Sequence, residues 1–163
     1  MSKDETGPAD LWQITWQNVG QLRVLHKHVF PVSYQDPFYT DVVEKHKEHC
    51  RLAYYADILV GAICCRVEIE DGRPRLYVMT LGVLEPYRRM GIASQLIKDI
   101  VAKVEQEKEK SKIAEIVLHM QTSNTPGLQF YENHGFENAK MVPNYYQKID
   151  PPDAYLLRRM VTS

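Results

Sequence analysis

Between Thr80 and Ala93 an apolar run rich in β-formers meets a basic, glycine-containing turn, and an amphipathic helix follows. Arg88, Arg89, Met90 and Gly91 make the turn, while Ile92, Leu96, Ile97, Ile100, Val101 and Val104 recur at helical spacing. A helix start presents backbone N–H groups without intrahelical partners at the positive end of the dipole. Arg89 to Ala93 can therefore seat a pyrophosphate with no special side chain. Gly91 lets the backbone come close, and the two arginines add charge. The spacing is neither the Lys-Ser/Thr of a P-loop nor the three glycines of a dinucleotide fold. Taken alone, the same residues also suit an ordinary strand-to-helix connection with two solvated arginines.

A second set of reactive types lies on strands. In the run Leu76 to Leu81, the two-residue period puts Tyr77, Met79 and Leu81 on one face; around Leu118 it does the same for Val117, His119 and Gln121. If those strands are neighbours, Tyr77 and His119 face one cleft. The plainer alternative is that the tyrosine packs across the sheet and the histidine is a satisfied structural residue. His46, His49 and Cys50 form the one dense group of metal-ligating types, but the segment is a charged helical face and no second group completes a tetrahedron, so no metal is expected. His26 and His28 read as helix-surface residues.

The elements that must carry these residues follow from pattern. Leu11 to Trp16 reads as a strand, and Val19 to Val29 as a helix with Asn18 at its cap. Pro31 breaks the chain between Phe30 and Tyr34, and a second helix starts near Pro37. Arg51 to Tyr55 and Ile58 to Ile69 read as strands, with Glu70 to Gly72 turning into the next. After the helix from Ile92, the charged run Lys103 to Lys112 is its solvated end. Ile113 to Met120 is a strand, and a short helix from Pro126 stops at Gly135. Phe136 onward and Tyr145 to Ile149 read as two closing strands; Asp150 to Ser163 carries no usable motif. The whole is an α/β pattern on a mixed sheet.

Composition sets bounds on this picture. At 163 residues, 44% of them hydrophobic, the chain suits one domain. We expect a flexible tail over residues 1–10 and a single domain over 11–163. Twenty basic residues against 21 acidic ones give a formal charge of -1, so no global field draws the protein to nucleic acid or an anionic membrane. No apolar run has the length of about 18 residues that spans a bilayer, and the polar start lacks a signal-peptide core. The expected location is the cytoplasm or the nucleus. Cys50, Cys64 and Cys65 have an odd count and no Cys-x-x-Cys spacing, and read as reduced, buried thiols.

Arg88-x-x-Gly91-x-Ala93 is similar to the Gln/Arg-x-x-Gly-x-Gly/Ala signature of the GNAT N-acetyltransferases, whose motif cradles the pyrophosphate of acetyl-CoA. Further segments resemble the NatE-type N-terminal α-acetyltransferases within that family: Phe30 to Tyr34, Arg75 to Gly82, Tyr87 to Gly91, Leu118 to Asn124 and Asn144 to Lys148. The resemblance runs from about Leu11 to Ile149. It implies the GNAT fold, a mixed and mostly antiparallel sheet of about seven strands flanked by helices, with splayed central strands. It also implies acetyl-CoA as cosubstrate and transfer of the acetyl group to the α-amine of a protein beginning with Met and a hydrophobic residue.

The resemblance further assigns roles. It places the catalytic pair at Tyr77 and His119, acting through an ordered water. Leu81, Gly82 and Val83 would pair with the pantetheine arm, Arg88, Arg89, Met90, Gly91, Ile92, Ala93 and Ser94 would hold the pyrophosphate, and Asn124 and Tyr131 would line the other side. Phe30, Pro31 and Val32 would receive the first side chain; Tyr34, Met79, Tyr145 and Tyr146 would line the peptide channel. Partners implied are N-terminal segments of nascent or mature proteins, with NatA subunits and the ribosome as docking partners.

Three points stay open on the residues alone. Tyr131, Phe30 and Val32 suit core packing as well as a binding wall. Thr125, Pro126 and Gly127 differ from the small helix formers usual after Asn124, and Ala93 replaces the second glycine of the turn. A lysine ε-acetyltransferase shares the cofactor features, and a non-catalytic subunit of a NatA/NatE assembly shares the fold. An α-amine with a pKa of about 8 is partly neutral at pH 7, whereas a lysine amine near 10.4 is almost wholly protonated. The N-terminal substrate thus starts with an advantage.

Overall fold

The computed structural model describes residues 7–162. Among the described residues there are seven strands: β1 (Asp10–Trp12), β2 (Cys50–Tyr55), β3 (Ile58–Glu70), β4 (Arg73–Val83), β5 (Glu115–Gln121), β6 (Glu137–Val142) and β7 (Ala154–Met160). Four α-helices accompany them: α1 (Val19–Val29), α2 (Asp36–Glu44), α3 (Ile92–Ser111) and α4 (Thr125–Asn133). The strand order is β1-β2-β3-β4-β5-β7-β6. The pairs β1/β2, β2/β3, β5/β7 and β6/β7 are antiparallel, whereas β4/β5 is parallel. This is the expected mixed, mostly antiparallel sheet with helices. Residues 1–6 of the expected tail lie outside the described residues; Ala9 is buried, and its N–H and C=O bond to the side chain of Gln95.

The chain divides into two compact units. Among the described residues the first comprises 7–66 and 78–103, the second 67–77 and 104–162. In the first, Leu22 and Leu25 of α1, Tyr39, Val42 and Val43 of α2, and Cys50, Leu52, Ala62 and Cys64 of the strands share one apolar cluster. Fully burying side chains of this size contributes roughly 1.5–3 kcal/mol each. All three cysteines are buried free thiols, as expected.

Three local expectations in this unit are corrected. Only Asp10–Trp12 is extended at the start, because Val19 N–H and Asn18 N–H turn back onto Thr15 O. Asn18 does occupy the cap position of α1, but its side chain accepts from Thr15 N–H and donates to Gln13 O rather than capping the helix. His26 is not on the surface: it is 2% exposed. It lies four residues after Leu22 on the apolar stripe of α1, so burial of that stripe takes the imidazole inward.

In the second unit β7 pairs with both β5 and β6. Here too the sequence expectation needs correction. Tyr145 to Ile149 is not a strand; the closing strand is Ala154–Met160, in the segment that carried no motif. Asn144 adopts a left-handed φ of 55°, and its N–H bonds to Asp153 Oδ1, while Tyr146 N–H bonds to Pro152 O. The aromatic run is thereby held as a loop lying over the route into β7. The β5 strand begins at Glu115, since Ala114 N–H is used by Pro74 O.

Candidate active site

Along β4 the residues Leu76, Val78 and Thr80 are buried, while Tyr77, Met79 and Leu81 are half-buried on the opposite face. The parallel register Leu76↔Ile116 and Tyr77↔Val117 brings the face of Tyr77 beside that of His119. The result is a direct contact: the Tyr77 hydroxyl lies 2.7 Å from His119 Nδ1. The two rings are tilted, with centroids 5.6 Å apart. The strand neighbourhood assumed from the sequence is thus real, and both side chains are only partly accessible.

Tyr145 completes this group. Its ring stacks on His119 with centroids 4.1 Å apart and planes 16° from parallel, and its hydroxyl is 3.2 Å from that of Tyr77. Tyr146 meets Tyr145 edge-on at 5.0 Å. Burial lowers the pKa of His119 below the ordinary histidine value; the Arg75 guanidinium and, more weakly, Lys140 push the same way, and Glu68 opposes them. The imidazole is therefore neutral at pH 7, with a lone pair able to take a proton.

The basic turn sits in the first unit. Arg89 adopts a left-handed φ of 66° and Gly91 one of 85°. Glycine accepts that conformation freely, whereas an arginine there reflects a constrained turn. The first bond into α3 runs from Gln95 N–H to Gly91 O, so the N–H groups of Ile92 and Ala93 open the helix ahead of its ladder. Ile92 is buried and anchors the turn; Arg88 and Arg89 are both exposed, and Arg88 Nε donates to Val83 O at 2.9 Å. Backbone donors, a dipole and two exposed arginines fit a pyrophosphate. Ala93 and Ser94 stand half-buried on the first turn, and Met90 beside them.

Gly82 explains how β4 meets α1. A Cβ at this position would lie 2.5 Å from Val29 Cγ1 and 2.9 Å from Phe30 Cζ, so the absence of a side chain sets the approach. Phe30 packs edge-on to His26 with centroids 5.3 Å apart, and Tyr34 lies tilted on Phe38 at 4.7 Å. Both are half-buried, Val32 is 50% exposed and Pro31 is exposed. Of the two readings open for Val32, core filling is therefore excluded. Phe30 divides its surface between the aromatic cluster and solvent.

Asn124 and Tyr131 lie in the second unit. Asn124 caps α4, its Oδ1 accepting from Gly127 N–H at 3.0 Å, and Tyr131 packs edge-on against Phe130 and Phe136. Both therefore carry structural duties in addition to any ligand contact. Among the described residues no group of three or more His, Cys, Asp or Glu gathers to hold a metal.

Two groups escaped the sequence reading. His26 is hydrogen-bonded at both nitrogens, Nδ1 to Tyr39 Oη at 2.9 Å and Nε2 to Thr80 Oγ1 at 3.3 Å. Its place on the Leu22, Leu25, Val29 stripe was the available signal. Arg75 bonds Glu68, and its spacing of two residues before Tyr77 already placed it on that face.

A mixed sheet carrying a neutral imidazole, in a chain whose α3 start offers backbone donors suited to an anion, fits an α/β protein of the group-transfer class. Residues 19–136 match the Acetyltransferase (GNAT) family, and the chain belongs to it. It is similar to N-alpha-acetyltransferase 50 of Danio rerio, with 42% identity over 157 residues, 96% of this chain and 91% of that one. It also resembles the probable N-acetyltransferase san of Drosophila melanogaster, 43% identical over 150 residues, 92% of this chain and 79% of the relative. Among solved structures, Arabidopsis thaliana Naa50 in complex with the bisubstrate analogue CoA-Ac-MVNAL matches with a TM-score of 0.81 and 40% identity, covering 93% of this chain and 98% of that one.

Proposed function

We propose that the protein is an acetyl-CoA-dependent N-terminal α-acetyltransferase acting on chains that begin with Met followed by a hydrophobic residue. The observation that carries the reading is the 2.7 Å contact between Tyr77 Oη and His119 Nδ1, because it supplies a neutral, oriented base on the sheet. Support comes from relatives named as N-acetyltransferases at 42% and 43% identity, and from a solved relative that holds a Met-Val peptide joined to CoA.

When bound, acetyl-CoA supplies an activated acetyl thioester. The turn Arg88 to Ser94 would hold its pyrophosphate, and backbone groups of Leu81, Gly82 and Val83 would pair with its pantetheine arm. Backbone N–H groups around Met79 to Leu81 would be the donors nearest the thioester oxygen. His119 would take the proton of the α-amine through an ordered water as the nitrogen bonds to the acetyl carbon and CoA departs as the thiol; Tyr77 orients the imidazole through its hydroxyl, and Tyr145 holds the ring by stacking. Phe30, Pro31 and Val32 would form the wall for the initiator methionine, and Tyr34, Met79 and Tyr146 are the residues that the same reading assigns to the peptide. No cysteine acts as an acyl carrier: all three thiols are buried. Association with NatA-type subunits belongs to the same reading and is checked by co-purification.

The deciding experiment offers acetyl-CoA and a Met-Leu peptide, beside the same peptide with its α-amine blocked and a lysine left free. Acetylation confined to the free α-amine is expected. Equal labelling of both would transfer the assignment to a lysine ε-acetyltransferase, and labelling of neither would leave a non-catalytic subunit.

A further inference from the structure

Arg75 precedes Tyr77 by two residues on β4 and so shares its face of the sheet. Its Nε donates to Glu68 Oε1 at 2.7 Å, and its Nη2 reaches the same oxygen at 2.7 Å. Glu70 and Glu115 lie farther from the guanidinium, at 3.8 and 4.0 Å. Side-chain exposure is 15% for Arg75 and 25% for Glu68, so these charges are sheltered from the screening that erases surface pairs. Glu115, Val117 and His119 share a face of β5 by the same alternation, and Tyr77 is the shared neighbour of Arg75 and His119.

We infer that Glu68 and Arg75 are positioning residues of the reaction, an ion pair whose two opposite charges set how readily His119 takes a proton. The inference rests on the proposal that His119 is the base. A pair serving only to join β3 and β4 would gain nothing from standing two residues from Tyr77. Here the guanidinium opposes a second positive charge on the imidazole, and the carboxylate favours one. Both stand on the face of the sheet that carries Tyr77 and His119, Arg75 by strand alternation and Glu68 through its bonds to the guanidinium. The other groups facing the imidazole are Tyr77 from β4, Lys140 from β6 and Tyr145 from the loop before β7; Glu115 lies on its own strand.

Opposite charges give opposite signs, and this separates tuning from simple support. Removing the cation in Arg75→Gln raises the His119 pKa by about half a pH unit or more, and removing the anion in Glu68→Gln lowers it by a similar amount. Loss of a purely structural bridge would move both variants the same way, since either substitution breaks the same contact. Arg75→Lys keeps the charge and leaves the pKa near the wild-type value.

The test is an NMR titration of the His119 imidazole in the full chain and the three variants, with the acid limb of kcat measured at saturating Met-Leu peptide and acetyl-CoA. Shifts up for Arg75→Gln, down for Glu68→Gln and none for Arg75→Lys are expected in both measurements. Shifts in one direction, or none, overturn the inference. If Arg75→Gln fails to fold, Glu68→Gln alone must still move the titration down. A moving titration in a chain that acetylates no peptide would remove the proposed activity and leave the electrostatic coupling intact; a stationary titration in an active enzyme would remove the coupling alone.

Discussion

Tyr145 lies face to face with His119 while its hydroxyl is 3.2 Å from that of Tyr77, so a residue of an irregular loop contacts both members of a pair formed by two strands. The loop is held by two bonds from its backbone N–H groups, Asn144 N–H to the side-chain Asp153 Oδ1 and Tyr146 N–H to Pro152 O. A single aromatic side chain then restricts the imidazole ring.

Tyr145 thus has two separable contributions. Tyr145→Phe keeps the stack and loses the hydroxyl, lowering kcat by a few-fold, about the value of one hydrogen bond. Tyr145→Ala loses the stack as well and lowers kcat by about tenfold, since an aromatic pair contributes roughly 0.5–1.5 kcal/mol beyond its area. Steady-state kinetics with a Met-Leu peptide read the difference; equal rates in the two variants would show that the stack is idle.

His119→Ala removes the base itself. A loss in kcat of about 10²- to 10⁴-fold is expected, with acetyl-CoA affinity nearly unchanged because the pyrophosphate turn is built from other residues. Tyr77→Phe, which removes the 2.7 Å partner of Nδ1 and the 3.2 Å contact with the Tyr145 hydroxyl, lowers kcat by about tenfold. Calorimetric titration with acetyl-CoA beside single-turnover rates separates binding from chemistry, and a His119→Ala enzyme at wild-type speed would remove the base.

Gly82→Ala puts a methyl group into Val29 and Phe30. Overpacking of this kind costs typically about 1–3 kcal/mol. The end of α1 must yield, and Phe30 moves with it, so the peptide KM rises several-fold while urea stability falls. A variant with unchanged KM and midpoint would show that the helix end gives way at no cost.

His26 makes stability depend on pH. Its pKa falls from 6.5 to about 4 because burial penalises the imidazolium. The folded-state value is the depressed one, so the unfolded chain binds the extra proton first. The stabilising contribution is full above the unfolded value of 6.5 and is lost as pH falls toward about 4. Between pH 7 and pH 5 the loss is on the order of 2 kcal/mol. Urea unfolding at the two pH values measures it, and in His26→Gln the contribution of this site disappears.

The parts of this protein that rest on local pattern were legible in the chain. The strand–turn–helix around Arg88 to Ala93 was, because a run of β-formers, a glycine and a helical stripe each act over a few residues. The face shared by Tyr77, Met79 and Leu81 followed from the two-residue period alone. The final strand was misplaced for the same reason: Tyr145 to Ile149 has β-forming residues, but strand pairing is a long-range choice, and the partners of β5 and β6 turned out to lie in Ala154–Met160.

What the tertiary structure alone decided is which polar groups meet. The stripe on α1 was visible, yet only packing showed that His26 is enclosed and bonded to Tyr39 and Thr80. Tyr77 and His119 are 42 residues apart in sequence, and their 2.7 Å contact exists because β4 and β5 run parallel in one register. A shift of that register by one residue would turn one of the two side chains to the other face. The residue types capable of acetyl transfer are therefore written in the sequence, whereas the Tyr77–His119 contact and the Arg75–Glu68 ion pair are products of strand pairing. Registry depends on the summed burial of whole strand faces and on no single residue's preference.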